Sequence, residues 1–393
     1  MLNTIKQLAQ QIHPEAISIR RHLHQHPELS FLETETAKFI QQKLTEMDIP
    51  FRANVAGNGI VATLEGKEKG KVIALRADMD ALPITELNAN EYKSQNVGVM
   101  HACGHDAHTA SLLGTAYILK ALKNEWKGTI QLFFQPAEEV APGGASLMIK
   151  EGALKNPDVQ SILGQHVQPY MDCGKVGLRG GKYMASADEI YIKIIGKGGH
   201  GAQPQMCIDS ILIAANMLVQ LQTVISRNAD PRSPSLLTFG KIIGEGATNV
   251  IPNEVYLEGT FRAMDETWRY KAHERILAIA EGVAENMGGK AEVEIRKGYP
   301  VLFNDETLTA QTRENMMAYM GAENVIDLDL WMASEDFAYY THEVPGCFYR
   351  LGTRNEAKGI VHGLHTPRFD IDEQALQIST GLMAWLAICE LSQ

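Results

Sequence analysis

The run Met100-His-Ala-Cys-Gly-His-Asp-Ala-His-Thr109 holds three of the chain's 13 histidines and one of its five cysteines. Cys103 and His105 stand two apart across Gly104, with His101 and His108 close by. Thiolate and imidazole are preferred ligands of zinc and its first-row neighbours. The run admits two other readings: Cys103 as a nucleophile with a histidine as base, or a helix N-terminus capped by Asp106 or Thr109. Taken by itself, it does not choose among them.

A second cluster, Gln135-Pro-Ala-Glu-Glu-Val140, directly follows the apolar stretch 128–134. Glu138 and Glu139 therefore emerge at the C-terminal end of a strand, where α/β sheets place ligands. Neighbouring side chains of an extended segment point in different directions, so one carboxylate can bind a metal while the other acts as general base. A solvated acidic loop is the plain alternative; the buried strand before it and the flexible 141–144 after it weigh against that. Gly164-Gln-His166-Val and Gly363-Leu-His365-Thr-Pro each set a histidine in a loop after apolar or glycine-marked sequence. A lone histidine is more often a satisfied surface or core residue. Together, Cys103, His105, Glu139, His166 and His365 suffice for two metals with positions open to water. In Arg76-Ala-Asp78-Met-Asp80-Ala-Leu-Pro83, Asp80 could accept the free ring N–H of a ligating histidine, or either aspartate could cap the next turn.

These residues need elements to hold them. Apolar spacing through Ile5, Leu8, Ile12, Ile17 and Ile19 predicts a helix over 1–24, broken at His26-Pro27. A helix over 33–47, strands at 59–64, 71–76 and 128–134, and a helix over 109–122 read as an α/β sheet. From about residue 178 the pattern changes. Segment 188–195 alternates polar and apolar residues, as a half-exposed antiparallel strand does. With helices at 210–224 and 266–287 and strands at 235–240, 254–263 and 291–297, it makes a β-α-β-β-α-β module. Residues 300–393 return to mixed α/β and end in a helix over 372–391. The expectation is an α/β/α domain of residues 1–184 and 299–393, interrupted by an α+β, ferredoxin-like insertion at 185–298.

The 36 Lys and Arg against 47 Asp and Glu give a net charge of −11, which argues against nucleic-acid backbones as partners. The longest clean apolar run, 381–389, falls short of the roughly 17 residues a membrane span needs. The polar N-terminus lacks an apolar signal core, and five scattered cysteines suit no disulfide framework. A cytoplasmic protein is the expectation.

The stretches 20–28 (RRHLHQHPE), 77–84 (ADMDALPI), 101–109 (HACGHDAHT) and 135–139 (QPAEE) resemble, in order, the aminoacylase/carboxypeptidase family of dinuclear metallohydrolases. Within it they are similar to hippurate hydrolases, auxin-conjugate hydrolases and N-acetyl-diaminopimelate or N-acetylcysteine deacetylases. The match runs from about residue 15 to 390. Other branches bind metals through a His-x-Asp motif and a bridging Asp; here Asp78-Met-Asp80 lacks that His, and Cys103 with His105 take the role. The resemblance implies two divalent ions (Zn, Mn, Co or Ni) on Cys103, His105, Glu139, His166 and His365, with the Cys103 sulfur as a plausible bridge. It implies Glu138 as general base acting on an N-acyl amino acid. The insertion would be a lid and homodimerisation domain whose His200, in Gly198-Gly-His200-Gly-Ala, sits over the active site, often across the dimer. Asn249 and Arg262 match positions that hold the substrate carboxylate, although Arg262 read alone is a solvated strand residue. Glu335 and Asp336 receive no role. A dipeptidase or carboxypeptidase on the same site and a metal-independent Cys amidase are the alternatives. A non-catalytic relative is disfavoured because all five ligands and Glu138 are present.

Overall fold

A computed structural model describes residues 1–393. The chain forms two compact units: Met1–Gly181 with Phe303–Asp329 and Asp336–Gln393, and Lys182–Leu302 with Leu330–Glu335.

The first unit is built on an eight-stranded mixed sheet. In spatial order its strands are Phe51–Val55, Gly59–Glu65, Thr129–Gln135, Val72–Asp78, Ser161–Asp172, Gly346–Arg354, Val176–Leu178 and Val325–Asp327. The central strands run parallel, with Arg76 beside Phe133 and Gly164, and Arg350 beside His166. Ile130, Leu132 and Phe134 are fully buried, as are Phe133 and Ile162 on neighbouring positions. Both sheet faces are therefore covered, which explains the unbroken apolar reading of 128–134. Helices Leu2–Gln25, His105–Ala121 and Gln374–Leu391 pack against one another. The middle one is apolar on nearly all sides and sinks into the core, as such helices must. It begins at His105 rather than at 109, so the metal-type run feeds directly into its first turn.

The second unit holds a four-stranded antiparallel sheet, Ser235–Ile243, Glu254–Ala263, Ser186–Ile195 and Lys290–Lys297 in spatial order. Numbered along the chain this is the 4-1-3-2 order of a split β-α-β fold. Ile190, Ile192 and Ile194 point inward against Ile213, Met217 and Ile276, so the alternation seen in 188–195 is the burial of one face. Helices Ser210–Leu221 and Glu266–Asn286 start at Asp209 and Asp265, whose carboxylates accept first-turn N–H groups. A two-residue pair, Gly199–His200 against Val250–Ile251, stands apart from this sheet.

Candidate metal centre and active site

Three adjacent strands of the first unit deliver the chemistry, two at or just past their C-terminal ends and one from its middle. Val72–Asp78 leads to Asp78 and Asp80, Thr129–Gln135 to Glu138 and Glu139, and Ser161–Asp172 carries His166. His166 thus sits within a strand, not in a loop. Three residues of left-handed backbone turn the chain into the site. Gly104 has φ +86°, and a β-carbon there would lie 2.5 Å from Val167 Cγ2, so only glycine lets Cys103 pass into the helix that starts with His105. Ala137 has φ +51° and is held by its N–H, which donates to Glu33 Oε1 at 2.8 Å. His365, at φ +58°, is anchored by its N–H to Ala102 O at 2.8 Å.

The five expected ligands converge. Cys103 Sγ lies 3.3 Å from His166 Nε2 and 3.4 Å from His365 Nε2. His365 Nε2 is 3.3 Å from Glu139 Oε1, and His105 Nε2 is 3.9 Å from carboxylate oxygens of both Glu138 and Glu139. Donors about 2.0–2.3 Å from a tetrahedral ion stand about 3.3–3.8 Å apart, so the Cys103–His166, Cys103–His365 and His365–Glu139 separations are those of groups sharing an ion, and these donors with His105 group around the shared thiol. They form two sets, Cys103–His105–His166 and Cys103–Glu139–His365, with the thiol common to both. His105 Nε2 and Glu139 Oε1 are buried without any hydrogen-bond partner, a costly state unless a cation completes them. The residues fit a metal centre.

Hydrogen bonds behind the ligands set their tautomers. His166 Nδ1 donates to Val167 O at 2.7 Å and His105 Nδ1 to Asp80 Oδ1 at 3.1 Å, leaving each Nε2 lone pair for the centre. Asp80 Oδ2 also accepts from the Glu139 N–H at 3.0 Å and Ser30 Oγ at 2.6 Å. One carboxylate thereby orients a ligand from each set. His108 is no ligand: Val167 N–H donates to its Nε2 at 2.9 Å and its Nδ1 donates to Asp78 at 2.5 Å. His101 also stays outside both sets, buried with its ring 6.4 Å from that of His24.

Burial, with Glu139 and Glu138 close by, pushes the Cys103 thiol well above its usual pKa. A metal-free nucleophile needs the opposite environment, so this disfavours the Cys-amidase reading. Burial opposes charge on His105, yet Asp78, Asp80 and Glu139 raise it to about 10. Burial drives His166 well below its usual value, with Arg350 adding to the effect. Asp78 is held well below the usual range because Arg76, His105 and His108 outweigh its burial. A site this rich in carboxylates, with a reluctant thiol, is one that positive charge reorganises.

Asp106 and Thr109 are not caps. Asp106 binds Arg20 and His24, and Thr109 Oγ1 donates to Asp78 O. Asp336 accepts from Arg76, Gln135 and the Ala145 N–H inside the first unit, a bracing role.

In the second unit His200 and Asn249 are neighbours: both are exposed, and Gly201 N–H donates to Asn249 O at 2.8 Å. Arg262 is half-buried beside Ala187 on the central strand pair. It lies at the opposite end of Glu254–Ala263, whose start is tied to the Gly198–His200 segment by Gly198 N–H, which donates to Asn253 Oδ1 at 2.9 Å. Eight residues of strand put these ends about 26 Å apart. The expectation that Asn249 and Arg262 share one carboxylate is therefore not met within a single copy of this unit. Sequence reasoning also missed Arg20, His24 and Ser30, although the first two lie in the recognisable stretch 20–28.

Residues 74–388 match peptidase family M20/M25/M40. The N-acetyl-L-cysteine deacetylase of Bacillus subtilis (strain 168) is 43% identical over 92% of this chain and 85% of its own. The N-acyl-L-amino acid amidohydrolase of Geobacillus stearothermophilus is 43% identical over 77% of this chain and 81% of its own. Among solved structures, the Bacillus subtilis YXEP protein, a dinuclear metal binding peptidase, superposes with a TM-score of 0.84 at 35% identity, covering 98% of this chain and 99% of that one.

Proposed function

The chain belongs to peptidase family M20/M25/M40 and is a metal-dependent amidohydrolase; we propose that it removes the acyl group of N-acyl amino acids. The observation that carries this is the pair of ligand sets sharing Cys103, with Glu138 3.9 Å from His105. Two divalent cations held there (Zn, Mn, Co or Ni) would polarise the acyl carbonyl and make water acidic enough to attack near neutral pH. Glu138 accepts the attacking water's proton and delivers it to the leaving amine. Glu139, fixed by Asp80, serves the centre rather than the proton.

His200 donates to the tetrahedral oxyanion, a contribution of about 10²–10³ in rate for groups of this kind. Arg262, with its planar fork, suits the amino acid's carboxylate. With about 26 Å of strand between its two ends, the second unit serves one substrate from both ends only if two copies cooperate. We propose a homodimer through this unit, with His200 and Asn249 coming from the copy that does not supply Arg262. Exposed Leu212 and Val219 on one helix and Ile242 on the edge strand offer it an apolar surface. The five free cysteines suit a reducing cytoplasm. No helix is long and apolar enough to cross a membrane.

The test is amine release from N-acyl amino acids and dipeptides, using protein stripped by chelator and reloaded singly with Zn, Mn, Co or Ni. Metal-restored cleavage of the N-acyl amino acids and not the dipeptides is expected. Preference for dipeptides would make it a dipeptidase, and indifference to chelator would end the metal mechanism.

A further inference from the structure

Away from the donor atoms lies a buried ion cluster with no part in the chemistry above. Arg20 is wholly buried. Its Nε donates to Asp106 Oδ2 at 2.8 Å and its Nη2 to Asp370 Oδ1 at 2.8 Å. The guanidinium centre lies 4.7 Å from the Tyr92 ring centroid, and Tyr92 OH donates to Asp370 Oδ2 at 2.8 Å. One turn along the same helix, His24 reaches Asp106 at 2.7 Å and Glu86 at 3.2 Å. Buried ion groups seldom add net stability, because desolvation offsets the attraction. Their value here is the geometry they enforce.

Asp106 directly follows His105, a donor of the first ligand set, and Asp370 lies five residues past His365, a donor of the second. We propose that Arg20 is a positioning residue that holds the His365 loop in register with the His105 helix, and so fixes one metal set relative to the other. The inference rests on the two-set centre. The rigid guanidinium fork bonds both carboxylates in fixed directions, which the rotatable point charge of a lysine does not impose. The loop's other tethers are backbone acceptors and donors: His365 N–H to Ala102 O and Leu87 N–H to Pro367 O, each at 2.8 Å, and Asn88 Nδ2 to Phe369 O at 3.0 Å, of which only the first reaches the segment that carries Cys103 and His105. Without Arg20's grip, the Cys103–Glu139–His365 set loosens while Cys103–His105–His166 remains on its strand and helix.

The experiment titrates metal-free wild type, Arg20→Lys and Asp370→Asn with Co(II), reading stoichiometry by calorimetry and the thiolate charge-transfer and ligand-field bands by absorbance. Asp370 is partly exposed, so Asp370→Asn guards against a folding failure in Arg20→Lys. Wild type is expected to bind two ions. In both variants one ion should weaken about 10–100-fold, the usual effect of removing support behind a ligand, while the other and its thiolate band are retained. Two ions at wild-type affinity in both variants, or equal weakening of both ions, would overturn the positioning role. Wild type binding fewer than two ions would instead overturn the two-set centre itself.

Discussion

The substitution Gly104→Ala isolates what holds Cys103 and His105 together. At φ +86° a side chain costs about 1–2 kcal/mol by clashing with its own backbone. A β-carbon there also stands 2.5 Å from Val167 Cγ2, about 1 Å inside ordinary carbon contact. Val167 has little room to retreat. It is fully buried, and its N–H and C=O are bound by His108 and His166. Overpacking of this kind costs about 1–3 kcal/mol, so Gly104→Ala should lose about 2–5 kcal/mol in all. Gly57→Ala is the control: φ is +88°, and nothing lies within 4 Å of the added carbon, so about 1–2 kcal/mol is expected. Urea unfolding of both variants after chelation measures the difference without any contribution from metal binding. Equal losses would refute the claim that Val167 closes this turn.

Glu138→Gln should retain both metals and lose about 10²–10⁴ in kcat, the range of a positioned acid-base group; turnover is read beside metal content, and near-wild-type rates would remove Glu138 from the chemistry. Asp80→Asn places an amide NH₂ against either His105 Nδ1–H or the N–H of Glu139 and should weaken metal binding about 10–100-fold, measured with a competing chelator. His24 is raised in pKa: burial and Arg20 oppose its charge, but Asp106 and Glu86 prevail. Its stabilisation is therefore complete below its unfolded value of about 6.5 and is lost as pH rises through the folded value. The gap in urea midpoint between wild type and His24→Gln should narrow from acid to alkaline pH, and a constant gap would contradict the assignment.

Much of this architecture is written in local pattern. Burial on both faces makes 128–134 continuously apolar, and burial on one face makes 188–195 alternate, so each strand announces its place. The donors were recognisable because Cys, His and Glu cluster in short runs beside strand ends. What could not be read depends on contacts distant in the chain. Asp106 looks like a cap until Arg20, 86 residues away, binds it. The separation of Asn249 from Arg262 follows from strand length and register, which motif matching does not carry. His166 passed for a loop residue because the strand continues to Asp172, beyond the apolar run that identified it. The return of Leu330–Glu335 to the second unit has no sequence signal.

His365 differs from its fellow donors in one respect. Its side chain is 53% exposed, whereas that of Glu139 is 10% exposed and Cys103, His105 and His166 are buried. The centre therefore opens to solvent on one side only, at His365. Ion exchange, chelator attack and inhibition by soft metals should all begin at the site it serves, making loss of metal a stepwise process with the His365 ion leaving first.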